Sequence, residues 1–287
     1  MGLPPEYYKH RDGPWKLWVL RGKWSEELWH SVLELITEQP LSKHPQTVEL
    51  PWPRHGGDDV RLYLKVFHAD FGMRALKDLC RHSRAVRSMH QAAALRKFNF
   101  NVPFTLAAGE KREHGFLRKA FVLTLRVDGQ SIPVLLKEHY LTASKLTLFD
   151  KRNGLKQLAT EVRRLHELGF VHGDLLPTNI LVSRTEGKVS RFFFMDNDRT
   201  RRYPKWMPQV LWRRNLVQLN RLPLPGITLQ DRMRFLSHYL KLKRWGKNER
   251  RLVSWLEHKT RKRRKECDSV DASGSFRQLM RWDGQLT

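Results

Sequence analysis

The chain of 287 residues carries 54 Lys and Arg against 29 Asp and Glu, a formal charge of +25 at neutral pH. Its length allows a sizeable core and suits one two-lobed enzyme or two small domains, and 40% hydrophobic residues exclude a disordered chain. No apolar run is long enough to span a bilayer, no signal-peptide core opens the chain, and Cys80 and Cys267 suit a reducing cytoplasm, not a disulfide framework. So large a positive charge calls for an anionic partner, and nucleic acid, acidic phospholipid and phosphorylated glycolipid all qualify.

In chain order, Met1 to Pro14 reads as polar and loose, and Lys16 to Arg21 as a first strand. Ser25 is placed to cap a helix that carries Glu26 and Glu27 in its first turn and ends near Glu38. Trp15, Trp18, Trp24 and Trp29 crowd this region. Core packing is the favoured reading for them, and interfacial anchoring at lipid headgroups is the alternative. Arg54-His55-Gly56-Gly57-Asp58-Asp59 has the composition of a hairpin turn, not of a phosphate-binding glycine loop. From Val60 to Phe67 the pattern alternates, with Val60, Leu62, Leu64 and Val66 on one side of a strand and Lys65 on the other. Ser83 to Lys97 predicts a helix with Ala85, Met89, Ala92, Ala93 and Leu95 on its apolar face. Phe104 to Ala108 and Phe121 to Arg126 read as further strands, and Asp128-Gly129 as a turn.

Leu155 to Leu168 places Leu155, Leu158, Ala159, Val162 and Leu165 at helical spacing, and Gly169 is free to end that helix with positive φ. A polar loop, Val171-His172-Gly173-Asp174-Leu175-Leu176-Pro177-Thr178-Asn179, leads into an apolar strand from Ile180 to Val182. A turn at Glu186-Gly187 and a second strand, Val189 to Met195, run into Asp196-Asn197-Asp198-Arg199. Helix, loop and hairpin together would bring Asp174, Asn179 and Asp196 within reach of one another. Taken singly, Asp174 and Asn179 are residues that cap turns. His-x-Asp-x-x-x-x-Asn in this setting is the catalytic-loop pattern of the protein-kinase-like fold, where the Asp engages the acceptor hydroxyl and the Asn a metal. An Asp after the following hairpin supplies a carboxylate suited to magnesium, which takes few protein ligands and completes its shell with phosphate oxygens and water.

Leu165-His166-Glu167-Leu168-Gly169-Phe170-Val171-His172-Gly173-Asp174, with Met195-Asp196-Asn197-Asp198-Arg199, resembles the bacterial lipopolysaccharide core kinases, the heptose and Kdo kinases. The resemblance runs from about Val60 to Leu240. It implies an α+β protein-kinase-like two-lobed fold, with a small β-rich N-lobe (residues 1–126) and a mostly helical C-lobe (residues 127–287). Gly173 stands where protein kinases carry an Arg that pairs with a phosphorylated loop, so no such switch is expected. Asp-Asn-Asp-Arg in place of Asp-Phe-Gly sets the chain apart from the small atypical protein kinases that share His-Gly-Asp-Leu. The resemblance further implies ATP and Mg2+, with Asp174 catalytic, Lys65 on the nucleotide phosphates, and Asn179 and Asp196 on nucleotide and metal. Lys137 competes for the role of Lys65 but lies close to the catalytic helix. His172 is expected as scaffold, and Asp198 and Arg199 as braces of the metal loop or acceptor contacts.

The helix of a protein kinase that corresponds to Ser83–Lys97 carries a Glu that pairs with the strand lysine. No acidic residue occurs from Arg81 through Gly109, so His90 or Gln91 is the candidate partner of Lys65. After Arg199, Trp206 to Leu222 with Arg213, Arg214 and Asn215 is expected to line the acceptor groove, and Asp231 to Leu242 reads as a capped amphipathic helix. The tail is densely basic, including Arg261, Lys262, Arg263, Arg264 and Lys265, and interleaves Trp245, Leu252, Val253, Trp255 and Leu256. That composition suits a helix lying on an anionic membrane. The function expected is a cytoplasmic kinase, peripheral on the inner membrane, that phosphorylates a heptose or Kdo of the core glycolipid. The alternatives are an atypical kinase for protein or a small molecule, and a pseudokinase adaptor for membrane or nucleic acid.

Overall fold

Ser25, Ser83 and Thr228 each accept a hydrogen bond from a backbone N–H in the first turn of the helix they precede, and these caps fix where three helices begin. The structure is a computed structural model that describes residues 3–39, 45–52, 60–68, 79, 81–141, 148–185, 188–204, 206, 210–224 and 226–270. The chain divides into two compact units, residues 1–128 with 194–199, and residues 129–193 with 200–287. The turns read at Arg54–Asp59 and Glu186–Gly187 lie outside the described residues.

The first unit is built on a six-stranded antiparallel sheet in the order β1-β2-β5-β6-β4-β3. Its strands are β1 (Tyr7–Asp12), β2 (Trp15–Leu20), β3 (Gln46–Trp52), β4 (Val60–His68), β5 (Thr105–Glu113) and β6 (Phe116–Leu125). β1 corrects the expectation of a loose start. It is mostly polar, but it pairs with β2 from Tyr7↔Leu20 to Asp12↔Trp15, and the buried Tyr7 donates its hydroxyl to Thr105 O at 2.7 Å. One anchored side chain and a full ladder suffice for an edge strand. In β4, Leu62, Leu64 and Val66 are fully buried, as their alternation requires, and Lys65 is partly exposed.

Helix α1 (Glu26–Glu38) buries Leu28, Trp29, Val32 and Ile36 on one stripe. The Trp29 ring stacks on Phe121 at 5.8 Å, Trp15 meets both rings edge-on, and Trp29 Nε1 donates to Asp12 at 2.7 Å. The tryptophans are therefore core residues. Helix α2 (Arg84–Lys97) buries the five apolar residues read from its pattern, and also His90.

In the second unit, α3 (Ile132–Leu141) follows the short β7 (Gln130–Ser131), so Lys137 sits on a helix and not on a strand. Helix α4 (Leu148–Glu167) starts about two turns earlier than its apolar stripe suggests and buries Leu158, Ala159, Val162 and Leu165. It is followed by β8 (Phe170–Val171), β9 (Ile180–Thr185), β10 (Lys188–Phe194) and β11 (Arg201–Arg202). Three helices complete the unit: α5 (Val210–Leu219), α6 (Leu229–Leu240) and α7 (Lys247–Val270). Helix α6 begins two residues before the expected Asp231, because Thr228 and Asp231 form a reciprocal capping box. Asp231 is buried and accepts from Lys151 at 2.8 Å. Burial pushes its carboxyl up, but the bonds from Lys151 and Thr228 outweigh this and hold it below the usual range.

The apolar side of α7 is used inside the unit, with Leu256 buried and Arg213 of α5 over the Trp255 ring at 5.9 Å. Two of the apolar residues expected to face a membrane, Trp255 and Leu256, thus have partners inside the unit. Arg264 ties α7 to the end of α5 by donating to the carbonyls of Asn220 and Arg221. Among the described residues no helix is long and apolar enough to cross a membrane.

Two histidines are held neutral by burial. His90 drops from 6.5 to about 4, with His82 adding to the effect, and His166 on α4 also drops to about 4. A depressed native pKa means the unfolded chain binds protons first, so stability is whole above pH 6.5 and declines as the pH falls through 4. His166 should withdraw about 3 kcal/mol over that interval, and His90, less shielded from water, a smaller amount. Urea midpoints measured from pH 7.5 to 4.5 should fall steadily, and His166→Gln should flatten the part of the decline that belongs to the second unit.

Candidate active site

The loop that carries Asp174 is shaped by its backbone. Gly169 takes φ +85° at the end of α4, and a Cβ there would run into the Tyr203 carbonyl, so glycine is required. β8 then pairs with β11, through Phe170↔Arg202 and Val171↔Arg201. Gly173 takes φ +78°, a second position that disfavours any side chain, including the Arg of protein kinases. Leu175 is fully buried, and Pro177 opens a 3-10 turn, Pro177–Asn179, that delivers the chain into β9. Asn179 Nδ2 donates to Asp174 O at 3.0 Å and reaches Asp174 Oδ2 at 3.5 Å, so these two candidates are brought together. His172 is completely buried and its carbonyl accepts from Thr200 Oγ1 at 3.2 Å, a scaffold position.

In the first unit, Phe194 at the end of β10 donates its N–H to Asn101 O and packs its ring edge-on against Phe100. Asp196 follows with φ +54°, a left-handed conformation that a carboxylate residue tolerates better than most. Asn197 closes the bend by donating to Phe194 O at 2.8 Å, and a 3-10 turn spans Asn197–Arg199. Lys65 Nζ lies 2.7 Å from Asp196 Oδ1, so the strand lysine and the carboxylate that follows β10 meet directly.

The partner shown for Lys65 is thus Asp196, not the expected His90 or Gln91. His90 is buried with its ring 5.9 Å from that of His82, away from any lysine role. The helix still reaches the loop, with the charges reversed: Arg84 Nε meets Asp198 Oδ2 at 2.6 Å, and the Asp198 side chain is only 2% exposed. Both cations lie over the Phe67 ring, Lys65 at 5.4 Å and Arg84 at 5.2 Å. Asp198 is thus a brace and not an acceptor contact. A helix without acids beside a loop with two Asp residues was the available signal for this reversal.

The residues present suit magnesium and a nucleotide. In the first unit Asp196 offers a carboxylate, and in the second unit Asn179, its nitrogen committed to Asp174, offers a carbonyl oxygen; each is a hard donor of the kind magnesium takes. Lys65 provides a compact charge for phosphate. Among the described residues no group of three or more His, Cys, Asp or Glu could hold a metal by itself, so phosphate and water would have to complete any shell.

Sequence reasoning placed Asn215 in an acceptor groove. The structure buries it completely behind the Asp174 loop, where its Oδ1 accepts from His172 N at 3.1 Å. A second feature gave no sequence signal. It is an apolar cavity of about 430 Å³ within the second unit, lined by Leu158, Leu216, Leu219, Met233, Leu236 and Leu256, with Arg232, Arg261 and Arg264 also on its wall. It forms only where α4, α5, α6 and α7 meet.

The first unit with its antiparallel sheet and the helical second unit have the make-up of the protein-kinase-like fold. A solved structure of WaaP in complex with acyl carrier protein is similar over 86% of this chain and 98% of that one, with a TM-score of 0.56 at 19% identity. The KEOPS complex subunit Bud32 of Pyrococcus abyssi (strain GE5 / Orsay) is 25% identical over 116 residues, which is 40% of this chain and 44% of that protein. The chain thus spans under half the length of that relative. The model of the lipopolysaccharide kinase (Kdo/WaaP) family matches residues 54–239, more than half of the sequence, and includes Lys65, Asp174, Asn179 and Asp196. The chain belongs to the lipopolysaccharide kinase (Kdo/WaaP) family.

Proposed function

We propose that this chain transfers the γ-phosphoryl group of ATP to a sugar hydroxyl of the lipopolysaccharide inner core, with heptose preferred over Kdo. The observation that carries the reading is the 2.7 Å pair of Lys65 with Asp196, a phosphate-binding cation placed on a metal-binding carboxylate. Asp174 orients the acceptor hydroxyl and takes its proton. Lys65 holds nucleotide phosphates, and Asn179 and Asp196 hold magnesium, which when bound neutralises phosphate charge. Arg84 and Asp198 keep the loop of Asp196 in its left-handed bend. The work is positioning and charge stabilisation, as this chemistry requires.

Two partners follow from the surface and the interior. Arg250, Arg251, Lys262 and Arg263 are exposed along α7, and with the net charge of +25 they favour docking on an anionic inner-membrane face, where the glycolipid acceptor would be met. This is a cytoplasmic, peripheral location. The 430 Å³ apolar cavity with its arginines favours an acyl chain bearing an anionic head, and the WaaP complex with acyl carrier protein makes an acylated carrier protein the candidate. An atypical protein kinase is the second reading, supported by the likeness to Bud32.

Labelled ATP incubated with dephosphorylated core glycolipid should transfer phosphate to sugar, read by mass spectrometry; transfer to protein substrates alone would favour the second reading. Asp174→Asn should lower kcat by about a thousandfold with ATP binding retained. Lys65→Ala and Asp196→Ala should lose about a hundredfold in kcat/KM for Mg-ATP, and Arg84→Ala should lose about tenfold. Replacing Arg250, Arg251, Lys262 and Arg263 by Gln should weaken binding to acidic vesicles by about 1 kcal/mol per residue, an effect that added salt reproduces. Met233→Trp, which fills the cavity from α6, should weaken binding of an acylated carrier protein by about tenfold and leave the unacylated form unaffected.

A further inference from the structure

Behind the Asp174 loop lies a chain of buried polar side chains in which every donor direction is forced. Asn215 Oδ1 can only accept, and it receives the backbone N–H of His172 at 3.1 Å. It also lies 3.1 Å from His166 Nε2, so that nitrogen must carry the proton. His166 Nδ1 is then bare and accepts from the Tyr239 hydroxyl at 2.7 Å, a phenol kept protonated by burial and by the nearby Glu167. With Oδ1 turned to the loop, Asn215 Nδ2 donates to Gln218 Oε1 at 2.9 Å. The same oxygen accepts from Leu175 N at 3.2 Å, which leaves Gln218 Nε2 to donate to Gly173 O at 2.9 Å. Turning Gln218 over would set N–H against N–H at Leu175 and at Asn215, and turning Asn215 over would set N–H against N–H at His172 and oxygen against oxygen at Gln218, so one orientation survives.

The peptide groups gripped in this way flank Asp174 on both sides. His172 N–H and Gly173 C=O precede it and Leu175 N–H follows it, while the Asp174 carbonyl is held from the front by Leu176 N and Asn179 Nδ2. A loop with glycine at φ +78° has no intrinsic preference for this shape, so the grip supplies it. Asn215 is fully buried and His166 nearly so, which makes a missing partner costly and the arrangement close to all-or-none.

We infer that Asn215 and Gln218 of α5 are positioning residues for Asp174, and that His166 and Tyr239 set the direction of their amides. This rests on the reading of Asp174 as the group that meets the acceptor hydroxyl. The relay acts on turnover and not on nucleotide affinity, because none of its four side chains is among those assigned to nucleotide phosphate or metal.

The test uses the full chain with Mg-ATP and dephosphorylated core glycolipid, in wild type, Asn215→Leu, Gln218→Met, Gln218→Glu and Asp174→Asn. Hydrogen exchange of the 170–176 backbone is followed in parallel. Gln218→Met and Asn215→Leu should lower kcat by about a hundredfold with KM for ATP within about twofold, and speed exchange of the His172 and Leu175 amides. Gln218→Glu keeps the acceptor for Leu175 N–H and for Asn215 and should recover part of kcat. Gln218 is only partly buried, so its variants keep the test open should Asn215→Leu fail to fold. Unchanged kcat and exchange in folded Gln218→Met would overturn the relay. If Asp174→Asn keeps full turnover, the assignment of Asp174 fails instead, and the exchange result still decides whether the grip exists.

Discussion

An ammonium and a carboxylate 2.7 Å apart, on residues 131 positions distant in sequence, join strand β4 to the loop that ends β10. Both groups keep about a quarter of their surface in water, so the pair is not a large source of stability. Its effect is on geometry. Asp196 sits in a left-handed conformation that a carboxylate does not prefer, and the lysine in register on β4 holds it there. The six-stranded sheet, its tryptophan core and the capped helix α2 all fix where Lys65 ends, since Lys65 faces Val122 across one ladder and Thr47 across the other.

The reversal at α2 follows from the same electrostatics. A Lys and two Asp side chains in one small region leave a net negative charge, and a helix Glu would add to it. Arg84 at the first position of α2 restores balance, and its planar fork suits the buried Asp198 better than a lysine would. Burying Asp198 without Arg84 would strand a charge in the core, which ties the start of the helix to the turn after β10 more firmly than propensity could.

The sequence revealed what depends on local pattern. Alternation placed Lys65 on the outer side of β4, Ser25 and Ser83 marked helix starts, and the spacing of His172, Asp174 and Asn179 around Pro177 announced the loop. It did not reveal pairings across long separations. Arg84 with Asp198 spans 114 positions, and the one hint, a helix without acids and a loop with two Asp residues, does not name the pair. Asn215 looked like one polar residue in a basic stretch, and only the packing of α5 behind the loop turns it inward. Strand β1 was hidden for another reason: an edge strand needs only one buried side chain, so its composition matches that of a loop. The cavity exists through the meeting of four helices and has no counterpart in any single stretch.

Helix α5 places Asn215 and Gln218 on the loop and Leu216 and Leu219 on the cavity wall. Ten residues cannot bend much, so a sideways or axial movement forced at one set of positions is handed to the other. The cavity side and the loop side of the helix therefore share one mechanical degree of freedom. Mutational drift on this helix is constrained twice over, since side-chain volume at Leu216 and Leu219 is tied through the helix axis to the seating of Asn215 and Gln218 on the loop.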